Sequence, residues 1–171
     1  ESGWLVHSTD GGETWSAPVV FDQPEKTNVQ LATASDGRGT VLAVWRATTR
    51  DEIFYSVSRD GARTWTAPAA IPGLYARAWE WTRFDAYDLA VDGAGVFHLA
   101  AVARRTLVSG PDDESDGLYH LAWDGTAWSA PEVIFGGEGH AEYPRLALTR
   151  GNQLHAVWFL RDQEFTEGGQ Y

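Results

Sequence analysis

An octet recurs fifty positions apart: Ser8-Thr9-Asp10-Gly11-Gly12-Glu13-Thr14-Trp15 and Ser58-Arg59-Asp60-Gly61-Ala62-Arg63-Thr64-Trp65. Both copies read S-x-D-G-x-x-T-W and both run on towards Ala-Pro. A degenerate third copy follows at Trp123-Asp124-Gly125-Thr126-Ala127-Trp128, again ending in Ser-Ala-Pro. Self-similarity at a period of this size means stacked copies of one supersecondary unit, none of which buries its apolar faces alone.

The octet has a mechanical reading. A strand ends at Ser8 or Ser58, and Asp-Gly then turns tightly, because Gly11 and Gly61 adopt positive φ without a Cβ penalty. The serine hydroxyl and the carboxylate of Asp10 or Asp60 are placed to accept hydrogen bonds from N–H groups of the turn. Thr14-Trp15 and Thr64-Trp65 open the next strand, and the Trp offers apolar area to a neighbouring sheet. In the third copy Ala122 replaces the serine and the turn is one residue shorter, so Asp124, Gly125 and Trp128 should be less tied down. These carboxylates are expected to fix turns, not to bind metal or to catalyse.

Around the octets the chain reads as short strands. In the cleanest unit, Val29–Ala34 and Thr40–Trp45 flank the turn Ser35-Asp36-Gly37-Arg38-Gly39. Ile53–Ser58 follows, then the octet turn, then a fourth strand around Ala67–Ile71. Short, regularly spaced strands with turn signals between them indicate an all-β architecture, and the repeat selects a β-propeller of four-stranded blades. Residues 1–22 then form a half blade (strands C and D), 29–72 and 87–136 full blades, and 144–160 a half blade (strands A and B). This is three blades' worth of a six-bladed propeller. Such an arc leaves open edges, so the expected partner is a second copy of the chain or the rest of a longer propeller chain.

The octets resemble the Asp-box of the bacterial neuraminidase repeat, found in sialidase-type propellers and in many non-catalytic relatives. The resemblance implies that the boxes lie on the face away from any active site. It also implies what a catalytic member needs: a tyrosine activated by a glutamate, an acid/base aspartate, and three arginines that hold the substrate carboxylate. Tyr143 with Glu142 are the matching catalytic candidates. Arg46 and Arg104, just after their B strands, and Arg145, at the start of an A strand, are candidates for the clamp. The Arg-Ile-Pro motif of the family is absent.

On the face opposite the boxes, three connections carry chemistry. Gly73–Tyr87 holds Arg77, Trp79, Trp81 and Arg83, a mixture suited to stacking on a sugar ring and pairing with a carboxylate. The run Asp112-Asp113-Glu114-Ser115-Asp116 lacks the EF-hand spacing and reads as a solvated tip. Gly136–Arg145 contains the Tyr143 group.

Composition narrows the field. The net charge of −11 opposes binding to nucleic acid. With no cysteine there are no disulfides or thiolate metal sites. The five histidines show no tight ligand spacing, so neither a metal nor a cofactor is expected. No apolar run suits a membrane span, and the first residue is not Met, which suggests a processed or excised piece. A bacterial exported or cell-surface location is the expectation, with the cytoplasm left open. The leading function is a non-catalytic scaffold or a glycan- or protein-recognition module. The alternative is part of a sialidase-like exo-glycosidase whose remaining catalytic residues lie outside this chain or in a second copy.

Overall fold

The computed structural model describes residues 3–21, 28–47, 50–76, 86–107 and 117–161. Among the described residues, twelve strands form four antiparallel sheets in chain order. Sheet 1 pairs β1 (Gly3–Leu5) with β2 (Val19–Phe21). Sheet 2 is the meander β3 (Asn28–Ser35), β4 (Val41–Ala47), β5 (Glu52–Ser58) and β6 (Ala69–Tyr75). Sheet 3 repeats it with β7 (Tyr87–Val91), β8 (Phe97–Ala103), β9 (Gly117–Trp123) and β10 (Glu132–Phe135). Sheet 4 pairs β11 (His140–Leu148) with β12 (Leu154–Arg161).

The sheets pack face to face, so the central strands read as nearly continuous apolar runs instead of alternating ones. In β4, Leu42 and Val44 face sheet 3, joining Leu99, Phe97 and Leu121 in the main core. Ala43, Trp45 and Ala47, one residue out of phase, join Leu5 of sheet 1. In β8, Ala100 and Val102 turn instead toward Ala141, Leu146 and Trp158 of sheet 4.

The Ser-x-Asp turns join β1 to β2 and β5 to β6. In the second, Ser58 donates to Asp60 at 2.8 Å and accepts from the Ala62 N–H, while the carboxylate takes both the N–H and the hydroxyl of Thr64. Asp10 repeats this set with Ser8, Gly12 and Thr14. Asp124, between β9 and β10, collects Thr126 and Ala127 instead. Hydrogen bonds from the Thr14 and Thr64 side chains first, then their N–H groups, hold Asp10 and Asp60 well below the usual carboxylate range. The three tryptophans fare differently. Trp65 packs on the sheet 1–sheet 2 core and Trp128 meets Tyr55 edge-on, whereas Trp15 is 62% exposed.

Neighbouring sheets are also tied turn to turn. Arg38 of sheet 2 donates to the Gly93 carbonyl of sheet 3, and Arg59 to the Gly125 carbonyl. Asn152 of sheet 4 accepts from the Gly93 N–H and donates to Asp92.

Two connections are shorter than the sequence implied. β6 runs to Tyr75, with Leu74 fully buried, so Gly73–Tyr75 is strand and not loop. β11 begins at His140, inside a Gly- and Pro-containing stretch that reads as a loop. Pro144 is accommodated there because it falls in a bulge, where the ladder needs no N–H from it.

Candidate functional site

The bulge in β11 sets the geometry of the site. Between the pairs Glu142–Phe159 and Arg145–Val157, two residues, Tyr143 and Pro144, oppose the single Trp158. Tyr143 adopts a left-handed φ of 49°. The same irregularity recurs in β3: between Val29–Arg46 and Ala32–Val44, Gln30 and Leu31 oppose Trp45, and Gln30 has φ 57°. A bulge re-aims a side chain that regular alternation would send elsewhere, and positive φ in non-glycine residues is costly enough to need support from its surroundings. Trp45, fully buried, and the half-buried Trp158 stand opposite the two bulges.

β7 packs against both β3 and β11. The three strands border one cleft of about 400 Å³, whose lining includes Gln30, Thr33, Tyr87, Asp88, Tyr143 and Arg145. The register places this cleft at the strand ends opposite the Ser-x-Asp turns: Val29, Arg46 and Ile53 align at one end of sheet 2, and Ser35, Val41 and Ser58 at the other. Asp88 accepts from the Leu146 N–H at 2.8 Å, tying the β7 wall to the β11 wall.

The candidate arginines part company. Arg145 is exposed and lines the cleft, its guanidinium donating to the Pro144 carbonyl. Arg46 is 1% exposed and sits behind the wall, donating from Nε to Gln30 at 2.7 Å. Arg104, also buried, reaches Asp51 at 3.5 Å, and its main chain pairs with Tyr75. Burial pushes the Tyr87 phenol up; the Arg46 charge and a hydrogen bond from the Arg46 main chain offset this only in part. Tyr87 is therefore a neutral hydroxyl at any working pH.

Glu142 does not line the cleft. Its carboxylate accepts from Arg161 Nε at 2.6 Å, and each of these two side chains is 11% exposed. Arg77, Trp79, Trp81 and Arg83 lie outside the described residues, as does the acidic run Asp112–Asp116. Sequence reasoning missed Gln30, Tyr87 and Asp88 as cleft residues. A signal for Gln30 existed, since the spacing that carries Trp45 onto Trp158 also carries Gln30 onto Tyr143.

A second groove, of about 430 Å³, runs between sheet 1 and sheet 2, bordered by Leu5, His7, Ala34, Val41 and Ala62. It is more apolar and carries no charged side chain in its lining.

No protein-family model matches the chain, and no curated protein matches it. Solved structures do. A point mutant of the NanB sialidase from Streptococcus pneumoniae superposes with TM-score 0.69 and 18% identity, over 94% of this chain and 24% of that one. The same sialidase in complex with a chlorobenzylammonio-ethanesulfonate gives TM-score 0.64 and 20% identity, over 94% and 25%. A structure of NanB plus Optactamide gives 0.68 and 18%, over 94% and 24%. The chain thus spans about a quarter of the length of these sialidase chains. The likeness establishes a sialidase-like all-β fold.

Proposed function

We propose that the chain is part of an Asp-box β-propeller, contributing a half, two whole and a further half blade, and that it acts as a non-catalytic recognition module. The cleft where β3, β7 and β11 meet is its binding site, and the ligand is a glycan with acidic or densely hydroxylated groups. One observation carries this reading: two equivalent bulges with positive φ turn Gln30 and Tyr143 to the same cleft, beside the exposed Arg145. Tyrosine offers a ring face and a hydroxyl, and arginine a planar donor fork. The remaining blades come from a second copy or from further chain, and an exported or cell-surface location suits such a module.

The test is glycan-array binding followed by calorimetry with acidic oligosaccharides. Arg145→Ala should weaken binding by about tenfold, the scale of one charge-assisted contact, without changing the melting temperature. Binding indifferent to both Arg145→Ala and Tyr143→Ala would reject the cleft as the site.

The second reading, a segment of a sialidase-like exo-glycosidase, draws on Tyr143 in that strained bulge and on the likeness to NanB. Against it, the glutamate next to Tyr143 is engaged by Arg161, and two of the three candidate arginines are buried. Turnover of a fluorogenic sialoside that is abolished by Tyr143→Phe would favour catalysis over recognition.

A further inference from the structure

Two histidines outside the cleft face each other across sheet 3. His98 on β8 and His120 on β9 are diagonal neighbours, Ala100 being the direct partner of His120. His98 lies on the same face of β8 as Ala100 and Val102, which pack toward sheet 4. His98 Nδ1 lies 3.0 Å from His120 Nε2. The ring planes differ by 18° and the centroids are 5.3 Å apart. That separation is what the nitrogen–nitrogen contact plus one ring radius on each side requires, so the rings meet edge to edge. Their outer nitrogens face carboxylates: His98 Nε2 is 3.6 Å from Asp92, and His120 Nδ1 is 3.8 Å from Glu132. The line Asp92–His98–His120–Glu132 crosses the sheet from the turn after β7 to β10.

Protons can be assigned along this line. In the neutral pair one of the two facing nitrogens donates to the other; the tautomer that sets His98 Nε2–H toward Asp92 makes His120 Nε2–H the donor and His98 Nδ1 the acceptor. One added proton is carried on His120 Nδ1, whose positive charge then faces the Glu132 carboxylate at 3.8 Å. A second would have to sit on His98 Nδ1, setting two N–H groups head-on and two positive rings side by side. A metal ion fits poorly, since it must stand about 2 Å from each nitrogen with both lone pairs converging on it, whereas these lone pairs oppose one another across 3.0 Å.

The line reaches the next sheet through Asp92. One oxygen of Asp92 accepts from the Ala94 and Val96 N–H groups, and the other faces both His98 and the Asn152 amide of the β11–β12 turn. The charged groups in contact along the line include Asp92 and Glu132 of sheet 3, with the Arg38 guanidinium of sheet 2 on the Gly93 carbonyl. The β11–β12 turn meets Gly93 and Asp92 through Asn152 and also carries Arg150.

We propose that the His98–His120 pair is an acid-sensitive latch: it accommodates one proton, keeps Asp92 engaged with Asn152 above about pH 6, and releases the β11–β12 hairpin when acid forces in a second. That hairpin carries Tyr143 and Arg145 to the cleft. Burial and then the neighbouring His98 push His120 down, with Glu132 offsetting part of this. A histidine depressed in the folded state contributes stability that is complete above its unfolded pKa, near 6.5, and is lost as pH falls through the folded value. One proton taken up by the loosened state and refused by the docked state costs about tenfold in the docking equilibrium per pH unit.

The test combines imidazole NMR with amide exchange of residues 146–156 between pH 7.5 and 5. In the wild-type chain His120 should titrate below the ordinary histidine value, and protection, corrected for intrinsic exchange, should fall by up to about tenfold per unit below about pH 6.5. His120→Gln should flatten that dependence. Asn152→Ala should flatten it too, while leaving the lowered His120 titration in place. Titration of His120 at the ordinary value near 6.5 would overturn the proposal on the wild-type chain alone. So would an unchanged pH dependence of exchange in His120→Gln.

Discussion

Replacing Arg161 by Met should cost about 3 kcal/mol of folding stability, for a reason visible in its surroundings. Its Nε lies 2.6 Å from Glu142, and both side chains are 11% exposed. Two unit charges about 4 Å apart, at an effective dielectric of about 20, attract by about 4 kcal/mol before desolvation is subtracted. Fully exposed pairs retain about 0–1 kcal/mol of this. Truncating one member of a buried pair costs about 3–5 kcal/mol, because the other charge stays behind without compensation. This pair lies close to the buried limit, hence the lower end of that range. Glu142→Gln added to Arg161→Met should restore about 2 kcal/mol, as the stranded charge is removed. Urea denaturation at pH 7 of the four proteins of the cycle supplies the coupling energy. A coupling below about 0.5 kcal/mol would refute the reasoning, since the ion pair would then be worth no more than a surface contact. The bulge next to it would need another explanation for its order.

Gly139 has φ 90°, and a Cβ there would stand 2.9 Å from the Arg161 carbonyl; Gly139→Ala should lower stability by about 2 kcal/mol or more, read by thermal melting. Leu99→Ala, at a fully buried position of the sheet 2–sheet 3 core, should cost about 3 kcal/mol in denaturant titrations. The depressed carboxylates Asp10, Asp60 and Asp124 contribute stability that is present above their unfolded pKa of 3.8 and is lost as pH falls through the folded values, about 2 for Asp124. The acid-unfolding midpoint should therefore shift upward in Asp60→Ala, with cleft ligand binding by the folded fraction unchanged. Selective loss of binding at an unaltered melting temperature would contradict a turn-fixing role.

The repeat made much of the fold readable. Strands could be drawn because turn chemistry is local: Ser58, Asp60 and Thr64 lie within seven positions and bond to one another. The cleft was harder, because its parts are set by pairing. No composition rule says that Tyr143-Pro144 will bulge against Trp158, and a proline among glycines reads as loop until its partner strand is known. The arginines show the same limit. Arg46 and Arg104 hold equivalent places after their strands, yet what buries them is Gln30 and Tyr87 in one case, and Asp51 with the Tyr75 main chain in the other. Trp15 and Trp65 share one motif, but only Trp65 has a sheet against it among the described residues.

The turn-to-turn ties bear on how such a chain can diverge. Arg38 and Arg59 each grip a main-chain carbonyl of the next sheet, at Gly93 and Gly125, and Arg59 also stands over the Trp123 ring at 5.7 Å. Every residue type supplies that carbonyl, so the gripped unit can change its side chains without losing the tie. The carbonyl contact itself asks for a guanidinium on one side and for no particular side chain on the other, although Gly125 is held to glycine by its φ of 99°. Units joined in this way can drift, be duplicated or be exchanged while keeping their spacing and orientation.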